Sequence, residues 1–333
     1  MCTTIAIGQG ENRVLAANYD YVLGHGLIGT SPRGLRKHNG RSGDARLEWS
    51  NQFSSVTLCS FSLEFPAAGM NEAGLCIALM YHDRGDYGFG APPQRRIDSL
   101  QWIQYQLDNY STVEEVRAGL EHLRPEGFPL HYMLLDSRGD CLVIEYIEGE
   151  PIVLLNPEPP VATNSSYTEC LRSAAEVDAH AIAARTSHGR FASLARTWED
   201  LSKSHSETVA FDALSRVAQG VVDGPWNSDS RLTTTVWSVV FSPTRRRLTF
   251  TSDQNPAKRI ISMQQVELDE TASPLCMEIH DGDAGEVSDL LQTYRADMNR
   301  AIVRASSQAI EMADVQVEGL VSAVDEIYAS RGG

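Results

Sequence analysis

The feature that most limits what this chain can become lies in its first twenty residues. Cys2 follows Met1 and leads directly into Thr3-Thr4-Ile5-Ala6-Ile7, which reads as a β-strand. A turn at Gly8-Gln9-Gly10-Glu11-Asn12 is followed by a return strand over Arg13-Val14-Leu15-Ala16-Ala17-Asn18. A short hairpin of this kind returns Asn18 and Asp20 to the level of Cys2. Removal of Met1 would then leave one residue carrying both a thiol and a free α-amine. A thiol reacts as its thiolate, with an ordinary pKa of ~8.5. An α-amine titrates near ~7.7–8.0 and supplies some free base at neutral pH. A nucleophile paired with its own amine needs no separate histidine, and a carboxylate at Asp20 can hold and orient that amine.

The pattern of apolar alternation continues along the chain. Strands are predicted at 55–61, 75–81, 130–136, 141–146, 152–155, 234–241 and 247–251, several joined by Gly-containing hairpin turns. Between them the period changes to helical, at about 97–109, 113–123, 167–185, 189–203 and 207–219. Ser111-Thr112-Val113-Glu114 reads as a capping box. Residues 286–329 turn helical again, with Val287, Leu290, Leu291, Tyr294, Met298 and Ile302 forming a stripe. Residues 36–52 look like a polar surface excursion, and the Gly- and aromatic-rich stretch 82–97 like the rim of a pocket. This order implies an α+β fold of mainly antiparallel sheets with helices packed outside. The expected division is one main domain over residues 2–280 and a C-terminal helical extension over 281–333.

Composition narrows the function. The chain has 333 residues and a formal net charge of −16, so it does not attract phosphate backbones and no nucleic-acid partner is expected. No apolar run approaches a membrane span, and the start lacks a secretory pattern, so a cytoplasmic protein is expected. Its six cysteines show no close pairing and read as reduced thiols, with Cys59, Cys76 and Cys141 inert in the core. His131 opens a strand and reads as a bonded structural histidine. No zinc spacing, P-loop or dinucleotide fingerprint occurs, and no cofactor is expected.

The residues resemble the choloylglycine hydrolase group of N-terminal nucleophile hydrolases, which includes bile salt hydrolases and penicillin V acylases. The resemblance is carried by Met1-Cys2-Thr3, Asn18-Tyr19-Asp20, Ser31-Pro32-Arg33-Gly34, Gly69-Met70-Asn71-Glu72-Ala73-Gly74-Leu75, Ser111 to Val116, Leu130 to Asp136, Thr163-Asn164-Ser165 and Gly189-Arg190-Phe191. It is good to about residue 165, intermittent to about 255, and absent beyond. It implies a four-layer αββα sandwich. It also implies Cys2 as nucleophile with its α-amine as base, Asp20 bonded to the amine, and Arg190 at the active site. Asn164 and the backbone N–H of Tyr81 would be the oxyanion donors. The implied partner is a small-molecule N-acyl amide with an apolar or aromatic acyl part, and a homo-oligomer stays open.

Three positions depart from the family pattern. Ala17 stands where the family has an arginine beside the nucleophile, which should leave the thiol less acidic. The assembly hairpin between Asn164 and Arg190 is missing, and the C-terminal helices are additional. An acyltransferase or amide-forming enzyme, and a catalytically weak binding or scaffold protein, are the alternatives.

Overall fold

The computed structural model describes residues 2–22, 24–88, 95–176, 186–203, 207–218, 222–223, 232–310 and 314–329. Among these, two large sheets organise the chain. In the first, the strands run in the order Val161–Ala162, Thr3–Ile7, Val14–Tyr21, Leu232–Ser242, Arg247–Ser252, Arg259–Ser262 and Gly285–Glu286, and Val222–Asp223 pairs on Leu232–Ser242. In the second the order is Glu150–Leu155, Cys141–Ile147, Leu130–Leu135, Cys76–Tyr81, Ala68–Asn71, Ser55–Cys59, Leu27–Ser31, Leu275–Glu278 and Gln292–Thr293. Pairing in both is antiparallel, apart from Arg259–Ser262 beside Gly285–Glu286.

Strand alternation assigns each face. Ala6, Leu15 and Ala17 turn inward, into the core shared with Met70, Ile77 and Met133 of the other sheet. Ile5, Ile7, Val14 and Ala16 turn outward and pack against Phe191, Leu194, Phe211 and Leu214. These come from the helices Ser187–Ser202 and Glu207–Val217. The outer face of the second sheet is covered by the helices Ser99–Asn109 and Val113–Gly119. Beside them, Ala296–Ile310 and Asp314–Ala329 pack on Leu27, Cys59 and Cys276. The result is a helix–sheet–sheet–helix sandwich, the expected α+β architecture.

Glycine makes one of these contacts as close as it is. A Cβ at Gly69 would lie 2.8 Å from a Leu107 methyl and 2.7 Å from that of Thr57, so helix and sheet could not approach as they do.

Three expectations need correction. Residues 36–52 are a surface excursion only in part: 40–46 are exposed, but the rest is anchored. They contain the paired strands Arg36–His38 and Glu48–Ser50, with Lys37 and Trp49 buried. Lys37 is hidden because its ammonium meets Glu64 at 2.6 Å and Asp108 at 3.0 Å, and the Trp49 indole N–H donates to Asp108 at 2.8 Å. The capping box is shifted by one residue. Thr112 caps and Glu115 answers it, because Thr112 takes the extended conformation and Ser111 donates its hydroxyl to Glu115 instead. The last helical stripe begins at Ala296 rather than 286. The residues before it are drawn into sheet edges at Gly285–Glu286 and Gln292–Thr293, and Leu290 is left exposed. The predicted helical residues 177–185, 219 and 311–313, and residues 89–94 of the predicted rim, lie outside the described residues. No helix among the described residues is long and apolar enough to cross a membrane.

Candidate active site

Cys2 sits just ahead of the Thr3–Ile7 strand, and the hairpin pairs Thr3 with Asn18. Asp20 is therefore carried to the same end of the sheet, and the Cys2 thiol lies 3.9 Å from the Asp20 carbonyl oxygen. Cys2 is 4 % exposed and Asp20 1 %. The Asp20 carboxylate accepts from the Thr235 hydroxyl at 2.6 Å. Asn18 points to the outer layer, where it donates to the Leu214 carbonyl and accepts from Ser238, so it is structural.

Asn164 follows the short edge strand Val161–Ala162, which pairs with the Cys2 strand on its other side. Its side chain is fully oriented. Oδ1 accepts from the Cys2 nitrogen at 2.9 Å and from the Arg190 guanidinium at 2.5 Å, while Nδ2 donates to the Tyr81 carbonyl at 2.9 Å. The reverse amide orientation would set N–H groups against two donors, so the network itself decides the assignment. In the full chain the Cys2 nitrogen belongs to the Met1–Cys2 peptide. After loss of Met1 the same atom becomes the α-amine.

Arg190 reaches this point from the first turn of Ser187–Ser202, a helix capped by Thr186. Its guanidinium is completely buried. Besides Asn164 it donates to the Cys2 carbonyl at 3.2 Å and to the Thr3 hydroxyl at 2.9 Å. Tyr81 ends the Cys76–Tyr81 strand. The next residue, His82, donates its N–H to Pro129, and Leu79 donates the other way, to Ala67. By alternation the Tyr81 N–H points to the Leu79 side, as does the Tyr81 carbonyl that Asn164 engages. The structure thus brings together all five residues singled out in the sequence: Cys2, Asp20, Tyr81, Asn164 and Arg190.

Electrostatics follow from burial. Desolvation pushes the Cys2 thiol up, and the nearby Asp20 carboxylate adds to that; Arg190 pulls it down. Burial likewise raises the Asp20 carboxyl, against the pull of the Thr235 hydrogen bond and the Arg190 charge. Ala17 lies on the same inward face as Cys2, within one buried cluster that also holds Tyr19. An arginine at position 17 would therefore share the face of the thiol. Around the site stand aromatic side chains: Tyr81 against Phe128 at 5.8 Å between centroids, Tyr21 against Phe61 at 5.6 Å, and Tyr19 stacked on Trp237 at 4.1 Å.

All six cysteines are free and buried, and burial raises Cys59 and Cys141 to about 12, as suits inert core thiols. His131 is bonded within the core, its Nε2 to the Thr163 carbonyl and its Nδ1 3.3 Å from Glu145. Sequence reasoning missed His82 and Glu145, which meet His131 beneath the site; nothing in their spacing marks them as neighbours.

Two packed sheets between helical layers form the sandwich fold of the N-terminal nucleophile hydrolases. The penicillin V acylase from Agrobacterium tumefaciens superposes with a TM-score of 0.75 at 21 % identity, over 89 % of this chain and 98 % of that one. A C2A mutant of conjugated bile acid hydrolase from Clostridium perfringens superposes with a TM-score of 0.71 at 18 % identity, over 86 % and 99 %. In sequence, the chain is 30 % identical over 146 residues to a penicillin V acylase from Pectobacterium atrosepticum, a match spanning 39 % of this chain and 39 % of that protein. The family model for linear amide C–N hydrolases of the choloylglycine hydrolase family matches residues 2–171. The chain belongs to the choloylglycine hydrolase family.

Proposed function

We propose that this protein is a cysteine amidohydrolase that cleaves a linear N-acyl amide through an acyl-enzyme on Cys2. The observation that carries this reading is the set of hydrogen bonds linking the Cys2 nitrogen, Asn164, Arg190 and the end of the Tyr81 strand. Once Met1 is removed, the Cys2 amine takes the thiol proton and Sγ bonds to the substrate carbonyl carbon. The carbonyl π electrons move to oxygen, where the Tyr81 N–H and the second hydrogen of Asn164 Nδ2 receive the charge. Collapse of this intermediate breaks the C–N bond, and the leaving amine departs with the proton held by the Cys2 amine. Water then adds to the thioester and releases the acid and the thiol. Donors fixed in advance act on charge that appears only in the transition state, which is why such groups are worth much more than their ground-state bonds.

Asp20, buried at the same end of the sheet, would hold the Cys2 amine once Met1 is gone, and Arg190 holds Asn164 and the Cys2 carbonyl. The Tyr81–Phe128 and Tyr21–Phe61 pairs favour an apolar or aromatic acyl group. Assay of a panel of N-acyl amides with Cys2→Ala and Cys2→Ser tests the reading. Both variants should lose turnover, while a Cys2→Ala protein with full activity would end it.

A further inference from the structure

Beneath the site, three side chains converge that the hydrolytic reaction does not use. His82, His131 and Glu145 are each fully buried or nearly so, and one ligand-type atom from each lies within 4.8 Å of the others. His82 is 0 % exposed, yet neither of its ring nitrogens has a hydrogen-bond partner among the described residues. Its ring lies against that of His131 at 4.7 Å between centroids, but buried ring nitrogens without hydrogen bonds are costly and call for a polar partner or a cation.

The tautomer of His131 sharpens the point. Its Nε2 meets the Thr163 carbonyl, which only accepts, so Nε2 carries a hydrogen. In a neutral ring Nδ1 is then a bare lone pair, and it faces a Glu145 oxygen at 3.3 Å. Two lone pairs at that separation need a proton or a metal cation between them. The spacing is that of two ligands on one tetrahedral zinc: bonds of about 2.0–2.1 Å give ligand atoms about 3.3 Å apart. The outer contacts also have the form that metal ligands take. The other nitrogen of His131 donates to a backbone carbonyl, and the Glu145 oxygen is steadied by the Tyr167 N–H at 2.7 Å.

We propose that His82, His131 and Glu145 bind a divalent transition-metal cation, zinc by the character of the ligand set: His131 and Glu145 stand at ligand spacing already, and the His82 side chain, within the 4.8 Å spread of the three groups, swings in as the third ligand. Two histidines and a glutamate form a familiar zinc set, and a fourth position is left for water. The cation would join two segments that carry the oxyanion donors. His82 directly follows Tyr81, and His131 holds the carbonyl of Thr163, which directly precedes Asn164. Its role is structural, because the ligands are buried and none is among the groups assigned to the reaction. The inference stands on these side chains and not on the hydrolase reading, since metal content is measured without turnover.

The test is elemental analysis of the full chain purified from zinc-supplemented culture and dialysed free of loose metal, since a buried site captures its ion during folding. One zinc per chain is expected, and growth with cobalt should give the visible bands of a tetrahedral site. His82→Phe, which fills the same space, should hold none. It should keep its circular dichroism spectrum while losing the rise in melting temperature that zinc gives the wild type. Wild-type protein with no bound metal, or His82→Phe protein binding as much as wild type, overturns the proposal. In the first case a proton rather than a metal lies between His131 and Glu145; in the second the metal sits on the thiols.

Discussion

Replacing Arg190 with methionine separates positioning from packing. The guanidinium is completely buried and donates to Asn164 Oδ1 at 2.5 Å, to the Cys2 carbonyl at 3.2 Å and to the Thr3 hydroxyl at 2.9 Å. Methionine keeps much of the length and volume but none of the donors. Hydrogen bonds from a charged group are worth about 1.5–3 kcal/mol each, and their loss leaves buried acceptors unsatisfied. Removing a buried cation recovers part of that through desolvation, so the net cost to folding should be about 2–3 kcal/mol. The catalytic cost should be larger. Asn164 keeps the Cys2 nitrogen on Oδ1 and the Tyr81 carbonyl on Nδ2 but loses its charged anchor and can shift, and a misplaced oxyanion donor costs about 2.7–4 kcal/mol, or about 10²–10³-fold in kcat. KM should change little, because the lost interaction belongs to the transition state. Arg190→Lys restores a charge without the fork and should recover only about tenfold over the methionine variant. The assay is steady-state hydrolysis of a chromogenic N-acyl amide, with urea unfolding in parallel. A folded Arg190→Met protein with kcat close to wild type would refute the positioning role.

Two other perturbations read the electrostatics. Burial lifts the Cys2 thiol, so the rate of its alkylation by iodoacetamide should reach half-maximum at a pH above that of an ordinary thiol. Ala17→Arg should move that midpoint down by about one pH unit, as a cation on the same face would; an unmoved midpoint in a folded variant contradicts the assigned geometry. Burial alone would push the Glu207 carboxyl up, but hydrogen bonds from Ser242, Arg247 and Thr249 outweigh it and hold the carboxyl below the usual range. A depressed carboxyl stabilises the fold above its unfolded value of ~4.3, and the gain disappears as pH falls through the folded value. The stability gap between wild type and Glu207→Gln should therefore be full near neutrality and close below about pH 4; a gap independent of pH would show that Glu207 gains nothing from its donors.

The parts of this molecule that were legible in its sequence are those set by local period. The Cys2 hairpin, the strand ending at Tyr81 and the helix carrying Arg190 each have a pattern that one segment holds alone. The strand around Lys37 did not, because a lysine reads as surface until Glu64 and Asp108, distant in sequence, arrive to neutralise it. The meeting of His82, His131 and Glu145 was invisible for a related reason. They come from two neighbouring strands and the end of a third, and strand pairing, not spacing, makes them neighbours. The stripe from Val287 misled because the spacing of Val287 and Leu291 suits a helix, but they are buried on either side of a single 3-10 turn at Ser288–Leu290, between two-residue sheet edges. The candidate catalytic residues themselves were found by motif. Their geometry was not: Asn164 Oδ1 accepting from the Cys2 nitrogen and Arg190 emerged only from the fold.

The central claim is that Cys2, with its own free amine, takes the acyl group. The most direct test is mass spectrometry of the N-terminal peptide after rapid acid quench of the enzyme mixed with a slowly hydrolysed N-acyl amide or ester. The account predicts a peptide that begins at Cys2 and carries one acyl group on its sulfur, absent from Cys2→Ala protein. A peptide that retains Met1 in an active preparation, or an acyl group on any other residue, would contradict it.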